Sequence, residues 1–114
     1  MADLRYRYTL VRDLRDPLTR RGLPERSLLF VMVNPSTADG EDGGADDPTI
    51  RKCIGFAKRA GYDGLFVGNV APLRATYPYD LVRAIYAGDD VFRAAENDEA
   101  IGTMCRGAKC VVLA

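Results

Sequence analysis

Three mostly apolar runs recur along the chain, and each has the length of a buried strand. They are "LLFVMV" at 28–33, "GLFVGN" at 64–69 and "KCVVLA" at 109–114. Continuous apolar runs are typical of strands that are covered on both faces of a parallel sheet. We therefore predict an α/β fold, a three-layer sandwich with a mostly parallel central sheet, in which all three runs lie inside the sheet.

The segment between the first two runs predicts a helix with well-marked ends. One helical face is apolar and consists of Ile50, Cys53, Ile54, Ala57 and Ala60. Asp47 is suited to the N-cap, Pro48 to the first helical position and Gly61 to the C-terminal stop. Strand, helix and strand together predict a βαβ unit with parallel strands and a right-handed crossover.

Weaker patterns predict the remaining elements. "LRYRYTLVRDL" alternates between apolar or aromatic and polar residues, with Arg7 on the polar side, which predicts a half-exposed edge strand. A short helix is predicted near 79–86 and a longer one at about 90–106. Asp89 and Asn97 are alternative caps for the longer helix.

Length and composition indicate one domain with a core. The chain has 114 residues, of which 47% are hydrophobic, and we predict a single α/β domain over 1–114. Because the last strand ends with the chain, we expect either a fragment of a longer protein or an unusually short variant. The formal net charge is zero, so no overall basic field draws the protein to nucleic acid or membrane. Since no signal-peptide pattern or membrane-length apolar run occurs, we expect a cytoplasmic protein with no membrane partner.

The residue types give little support to a zinc site. The chain contains no His, and Cys53, Cys105 and Cys110 do not form a CxxC pair. Each cysteine falls in an apolar pattern, and we predict reduced thiols that pack in the core.

The first candidate site is the turn "NPST" that directly follows the first apolar run. In open α/β sheets, ligands bind at the carboxyl ends of the strands, which is where this turn falls. Asn34 could orient a water molecule or a polar ligand group, and the hydroxyls of Ser36 and Thr37 could meet phosphate or sugar. The alternative is a structural loop in which Pro35 restricts φ and the hydroxyls form local turn bonds.

Two further candidates flank the predicted helix. The loop "DGEDGGADD" at 39–47 contains carboxylates that could hold Mg²⁺, or it is a solvated segment in which Asp47 serves as the cap. "GNVAPLRAT" follows the second strand, so Asn69 and Arg74 should face the same crevice as Asn34. Arg74 suits a phosphate or carboxylate, or it is an ordinary surface residue.

Several of these segments together carry a resemblance to a known family. "FVMVNPSTAD", "DDPTIRKCIGFAKRAGYDGLFVGNVAPLRAT" and "ENDEAI" resemble the bacterial and phage family known as domain of unknown function 1643, over about residues 5 to 114. The resemblance implies a fold and a site location without an activity. Members of that family usually continue some tens of residues beyond the last strand seen here.

A more distant resemblance suggests a reaction. "FVMVNPS" is similar to the first motif of the uracil-DNA glycosylase superfamily, and "LFVGNVAPLRAT" resembles the strand and loop after its first helix. The resemblance implies that Asn34 positions the attacking water and that Asn69 is a base-pocket or structural residue. It also implies that the backbone of 34–37 contacts the flipped base or its sugar. Our catalytic candidate is Asn34, and our substrate-binding candidates are Pro35, Ser36, Thr37, Asp39, Asn69 and Arg74.

The sequence also departs from that superfamily. Ser36 replaces the Gly that follows Asn-Pro, which leaves less room for close backbone approach. Leu73 stands where the iron–sulfur branch has a Cys, and the second glycosylase motif, with its His, has no counterpart. We accordingly predict no cofactor and no metal.

These observations lead to one expected function and two alternatives. We expect a nucleobase-excising, DNA glycosylase-like hydrolase domain that acts on a modified or damaged base. A non-catalytic module that binds a nucleotide or nucleic acid, and a Mg-dependent phosphohydrolase, remain open. Because no loop follows the last strand to close the crevice, we expect weak or no catalysis by this chain alone. We also expect self-association into a homo-oligomer through the apolar strip at 109–114.

Overall fold

The computed structural model describes residues 5–33, 35, 44, 46–74 and 78–113. Its strands are β1 (Leu10–Asp13), β2 (Ser27–Met32), β3 (Gly64–Asn69) and β4 (Ala108–Leu113), and its helices are α1 (Pro48–Arg59), α2 (Pro78–Tyr86) and α3 (Ala94–Gly107). Within the described residues, no helix is both long and apolar enough to cross a bilayer.

The four strands form one mixed sheet in the order β1-β3-β2-β4. β2 is parallel to both β3 and β4, whereas β1 is antiparallel to β3. The predicted α/β class is therefore confirmed, as are the parallel pairing of the first two apolar runs and the edge position of the first strand. β1 is shorter than its alternating pattern suggested, because only an isolated bridge between Tyr6 and Leu73 extends it toward the N-terminus.

The prediction that the last apolar run lies inside the sheet is wrong. β4 is the last strand in the sheet order and pairs only with β2 among the described strands. Its apolar side chains are largely exposed, and 81% of the Leu113 surface is accessible. An apolar run indicates a strand but does not say how many neighbours it has. Only Val112 of this strand packs against the main core.

Helix α1 has the ends that its sequence predicted. The Asp47 carboxylate accepts a hydrogen bond from the Ile50 N–H at 2.8 Å, Pro48 is the first helical residue, and Gly61 has a φ of 86° just beyond the end. The helix covers one face of the sheet, where it completes a buried cluster of Leu10, Leu28, Phe30, Ile50, Cys53, Ala57, Leu65 and Val67.

Helix α3 covers the other face of the sheet. Successive side chains of a strand point to opposite faces. Val67 belongs to the cluster under α1, so the next residue, Gly68, faces the opposite side. The Met104 methyl of α3 packs there against Gly68, so closely that a Cβ on this residue would lie 2.8 Å from it. Neither predicted cap residue of α3 serves as its cap. Arg93, in the left-handed conformation at a φ of 41°, occupies that position, and Asn97 lies inside the helix.

Only one of the three cysteines follows the prediction of a buried thiol. Cys53 is buried in the core, whereas Cys105 on α3 and Cys110 on β4 are exposed. All three are free thiols. The prediction failed for Cys110 because β4 is an edge strand. Cys105 lies on the exposed side of α3. The apolar residues of this helix are not confined to one face, so their pattern does not show which face is buried.

Candidate functional site

The site predicted from the sequence lies at the carboxyl ends of β2 and β3. Of its residues, Asn34, Ser36, Thr37 and Asp39 lie outside the described residues. Pro35, Asn69 and Arg74 lie within them, and we call their surroundings the carboxyl-end site. Pro35 is fully buried. The parallel ladder continues past the strand ends here, because the Val70 N–H donates to the Met32 carbonyl at 2.8 Å.

Asn69 is the last residue of β3 and has an unusual environment. It alternates with Leu65 and Val67, so its side chain points to the α1 face of the sheet. Its exposed fraction is 0%, yet neither its Oδ1 nor its Nδ2 has a hydrogen-bond partner among the described residues. A buried amide without partners costs about 1–3 kcal/mol per unsatisfied group. Within the part of the chain that the structure describes, Asn69 therefore has unused donor and acceptor capacity.

The start of α1 lies on the same side as the Asn69 side chain. Only residues 60–63 separate the end of α1 from the start of β3. The helix packs along β3 through the core, so it runs back toward the carboxyl end of that strand and begins there. Asp47 and the first turn of α1 therefore border the carboxyl-end site.

Asn97 of α3 holds the end of β3 from the opposite face. Its Nδ2 donates to the Asn69 carbonyl at 2.7 Å and to the Val70 carbonyl at 3.3 Å, and the side chain is buried. The sequence suggested only a capping role for this residue. The available signal was an Asn within a helical segment, a residue that is unfavourable there unless its amide has a specific partner.

A short two-stranded ribbon forms the other border of the site. The Arg7 N–H donates to the Pro72 carbonyl at 2.9 Å, and the Arg74 N–H donates to the Arg5 carbonyl at 2.7 Å. These bonds flank the bridge between Tyr6 and Leu73. Because side chains alternate across such a ribbon, Tyr6 and Leu73 point to one side and the arginines to the other.

The Tyr6 side of the ribbon is anchored to the segment before α3. The Tyr6 hydroxyl donates to the Asp90 carbonyl at 2.7 Å, and the Arg93 guanidinium carbon lies 4.2 Å from the centre of the Tyr6 ring. Leu73 packs against the second, smaller core cluster, which consists of Ala71, Leu81 and Val91. Because these contacts hold the Tyr6 and Leu73 side of the ribbon, the opposite side, which carries the arginines, borders the carboxyl-end site.

The arginine side of the ribbon is cationic and partly buried. Arg7 is only 5% exposed, and burial lowers the pKa of its guanidinium to about 10. The charges of Arg74 and Arg12 also lower this pKa, and the charge of Asp47 opposes the change. Arg74 is half-buried, and its Nε is buried without a hydrogen-bond partner among the described residues. The sequence missed Arg7 because alternation assigned it to the polar side of an edge strand.

The acidic loop contributes structural contacts where the structure describes it. Asp46 accepts a hydrogen bond from the Nε of the buried Arg12 at 2.8 Å, and Asp47 caps α1. The other carboxylates of that loop lie outside the described residues. In the part of the chain that the structure describes, no three or more His, Cys, Asp or Glu residues are grouped to hold a metal ion.

Comparisons with known proteins bear on the first of the two resemblances. No curated protein and no solved structure matches the chain. One family model matches residues 7–114, which is nearly the whole sequence and includes Arg7, Asn69, Arg74 and Asn97. The chain therefore belongs to the family described as "Protein of unknown function (DUF1643)".

Proposed function

We propose that the carboxyl-end site binds a nucleobase through the Asn69 amide, and that the chain is a nucleobase-excising, DNA glycosylase-like hydrolase domain. The single observation that carries the proposal is the Asn69 side chain, which is fully buried and has no hydrogen-bond partner among the described residues. Native proteins satisfy nearly all of their buried polar groups, and open α/β sheets bind ligands at the carboxyl ends of their strands, so a ligand is the partner that we assign to this amide.

The chemistry of an amide matches the edge of a base. An Asn side chain presents an acceptor oxygen beside N–H donors, and a nucleobase edge presents the complementary pattern. A base that has been flipped out of a duplex, or one in a single strand, is read through such edge contacts. Because Leu65 and Val67 precede Asn69 on the same face, the amide lies against an apolar core. A base lacking the matching groups would leave the amide unpaired, which penalises the wrong base.

The hydrolytic step rests on the resemblance of the turn "NPST" to the glycosylase motif. In that proposal Asn34 orients a water molecule, whose oxygen forms a bond to the sugar C1′ carbon. The N-glycosidic bond breaks, the base leaves with the electron pair and takes up a proton, and the water loses one. The buried Pro35 directly follows Asn34 and restricts the backbone at this point of the turn.

The leading alternative is a module that binds a nucleotide or nucleic acid without catalysis. The partly buried cationic side of the ribbon favours it, since Arg7 and Arg74 suit a phosphate whether or not a bond is cleaved. The phosphohydrolase alternative has less support, because Asp46 and Asp47 already have the structural partners described above.

A two-step experiment tests the proposal. Thermal unfolding is first followed with nucleobases and nucleosides, because a ligand that binds only the native state raises the melting temperature. The increase should vanish in Asn69→Ala and persist in Arg59→Gln, an exposed position at the opposite end of α1. Release of free base from DNA carrying modified bases is then measured by mass spectrometry. Binding without release supports the non-catalytic module, and the absence of any base or nucleoside binding refutes the proposal.

A further inference from the structure

We infer that Arg7 and Arg74 form an anion subsite that holds a phosphate group of the ligand whose base contacts Asn69. The inference rests on the proposed function and deepens it, because it makes the ligand a phosphate-bearing nucleotide unit rather than a free base or nucleoside. The phosphate belongs to a free nucleotide or to the backbone of a nucleic acid strand, and the experiment below separates these two sources.

The ribbon geometry brings the two guanidinium groups together. Arg7 lies opposite Pro72, and Arg74 lies opposite Arg5, on either side of the bridge between Tyr6 and Leu73. Arg7 and Arg74 are therefore diagonal neighbours on the same side of the ribbon, a spacing within reach of long side chains. The effect of the Arg74 charge on the Arg7 pKa is consistent with this proximity.

Two adjacent arginines are unfavourable in a protein interior unless an anion accompanies them. Like charges on neighbouring strands repel each other, and burial removes the water that would screen them. For Arg7, Asp47 supplies a negative charge that opposes the lowering of the pKa. The Arg74 Nε is buried with no partner among the described residues. A phosphate would accept hydrogen bonds from this N–H and from neighbouring guanidinium donors, which form strong charge-assisted pairs with phosphate oxygens.

The arginine pair and Asn69 lie at the same end of the sheet, where we infer that one ligand contacts both. Arg7 interacts with the charge of Asp47 at the start of α1, and the Asn69 side chain points to the same α1 face. The backbone between Asn69 and Arg74 is tied on both sides, to Val33 of the β2 extension and to Arg7 of the ribbon. The amide and the cationic pair are thus held at one end of the sheet by the same short segment.

The experiment compares a nucleoside, its 5′-monophosphate, a short single-stranded oligonucleotide and inorganic phosphate at constant ionic strength. Binding to the full chain is measured by calorimetry for the wild type, Arg74→Gln and Arg7→Lys. Arg59→Gln is the matched control, since it removes an exposed arginine from the far end of α1. We expect Arg74→Gln to weaken monophosphate binding by roughly tenfold or more and to leave nucleoside binding unchanged. Arg59→Gln should change neither.

The outcomes separate this inference from the proposed function. If the oligonucleotide binds more tightly than the nucleoside and the monophosphate does not, the subsite holds the phosphate of a strand backbone. If the monophosphate also binds more tightly than the nucleoside, the subsite holds the phosphate of a free nucleotide. Equal binding of nucleoside and both phosphate-bearing ligands overturns the subsite while leaving base recognition intact. Phosphate-dependent binding that needs Arg74, with no nucleoside binding, supports the subsite and refutes base recognition by Asn69.

A failure of Arg7→Lys to fold does not affect the test. Arg74 is only half-buried, so its variant is expected to fold, and the wild type supplies a measurement without any substitution. Inorganic phosphate should raise the melting temperature of the wild type more than chloride does at equal ionic strength. The increase should be lost in Arg74→Gln; an increase of the same size in both proteins contradicts the subsite.

Discussion

Replacing Asn69 should stabilise the free protein, although the residue is fully buried. Its two buried polar groups lack partners among the described residues, and each such group costs about 1–3 kcal/mol. Leu has the same γ-branched outline and no polar atoms, but it is larger than Asn, and overpacking offsets part of the increase in the free energy of unfolding. We expect Asn69→Leu to increase the free energy of unfolding by about 1–2 kcal/mol. For a chain of this size, the melting temperature should rise by about 4–8 °C.

Urea unfolding of the ligand-free protein measures this change, with Asn69→Ala as a companion that cannot overpack. Asn97 is the control, because it is also a buried Asn but its Nδ2 donates to the Asn69 and Val70 carbonyls, and only its Oδ1 lacks a partner among the described residues. Asn97→Ala removes that donor and should lower the free energy of unfolding by about 1–3 kcal/mol. The reasoning is refuted if Asn69→Leu and Asn69→Ala both lose more than about 1 kcal/mol, since Asn69 would then have a structural role.

Two further predictions concern cysteine reactivity and acid stability. Burial is the main cause that raises the pKa of Cys53, so iodoacetamide followed by mass spectrometry should label Cys105 and Cys110 first; early labelling of Cys53 would contradict its place in the core. The hydrogen bond from the Arg15 side chain lowers the pKa of Asp13 to about 2, from 3.8. This pair therefore stabilises the fold above pH 3.8, and its contribution is lost as the pH falls toward 2. Asp13→Asn should lower the free energy of unfolding by about 1 kcal/mol or less at neutral pH. It should also reduce the loss of that free energy between pH 3.8 and 2, measured by urea unfolding; an unchanged loss would show that the pair contributes nothing.

Much of the sheet and its first helix could be predicted because their signals are local. Asp47, Pro48 and Gly61 mark the ends of α1 through backbone preferences that act within a single turn. The apolar runs of β2 and β3 have the length of strands, and the helix between them lets them pair in parallel and covers one of their faces. Their carboxyl ends, and hence Asn69 and Arg74 as candidates, follow from the sequence pattern alone.

Other features depend on groups that are distant in the sequence, so they follow from the tertiary contacts and not from local patterns. β4 resembles a central strand in sequence, but its burial depends on how many strands lie beside it, and it has one neighbour among those described. Arg7 has the pattern of an exposed residue and becomes buried where its backbone pairs with Pro72 in the ribbon. The amides of Asn69 and Asn97 are the same chemical group. Both polar atoms of the Asn69 amide lack partners among the described residues, whereas the Nδ2 of Asn97 donates to backbone carbonyls and only its Oδ1 lacks one. The difference arises because the satisfaction of a hydrogen bond depends on which atoms the fold places around it.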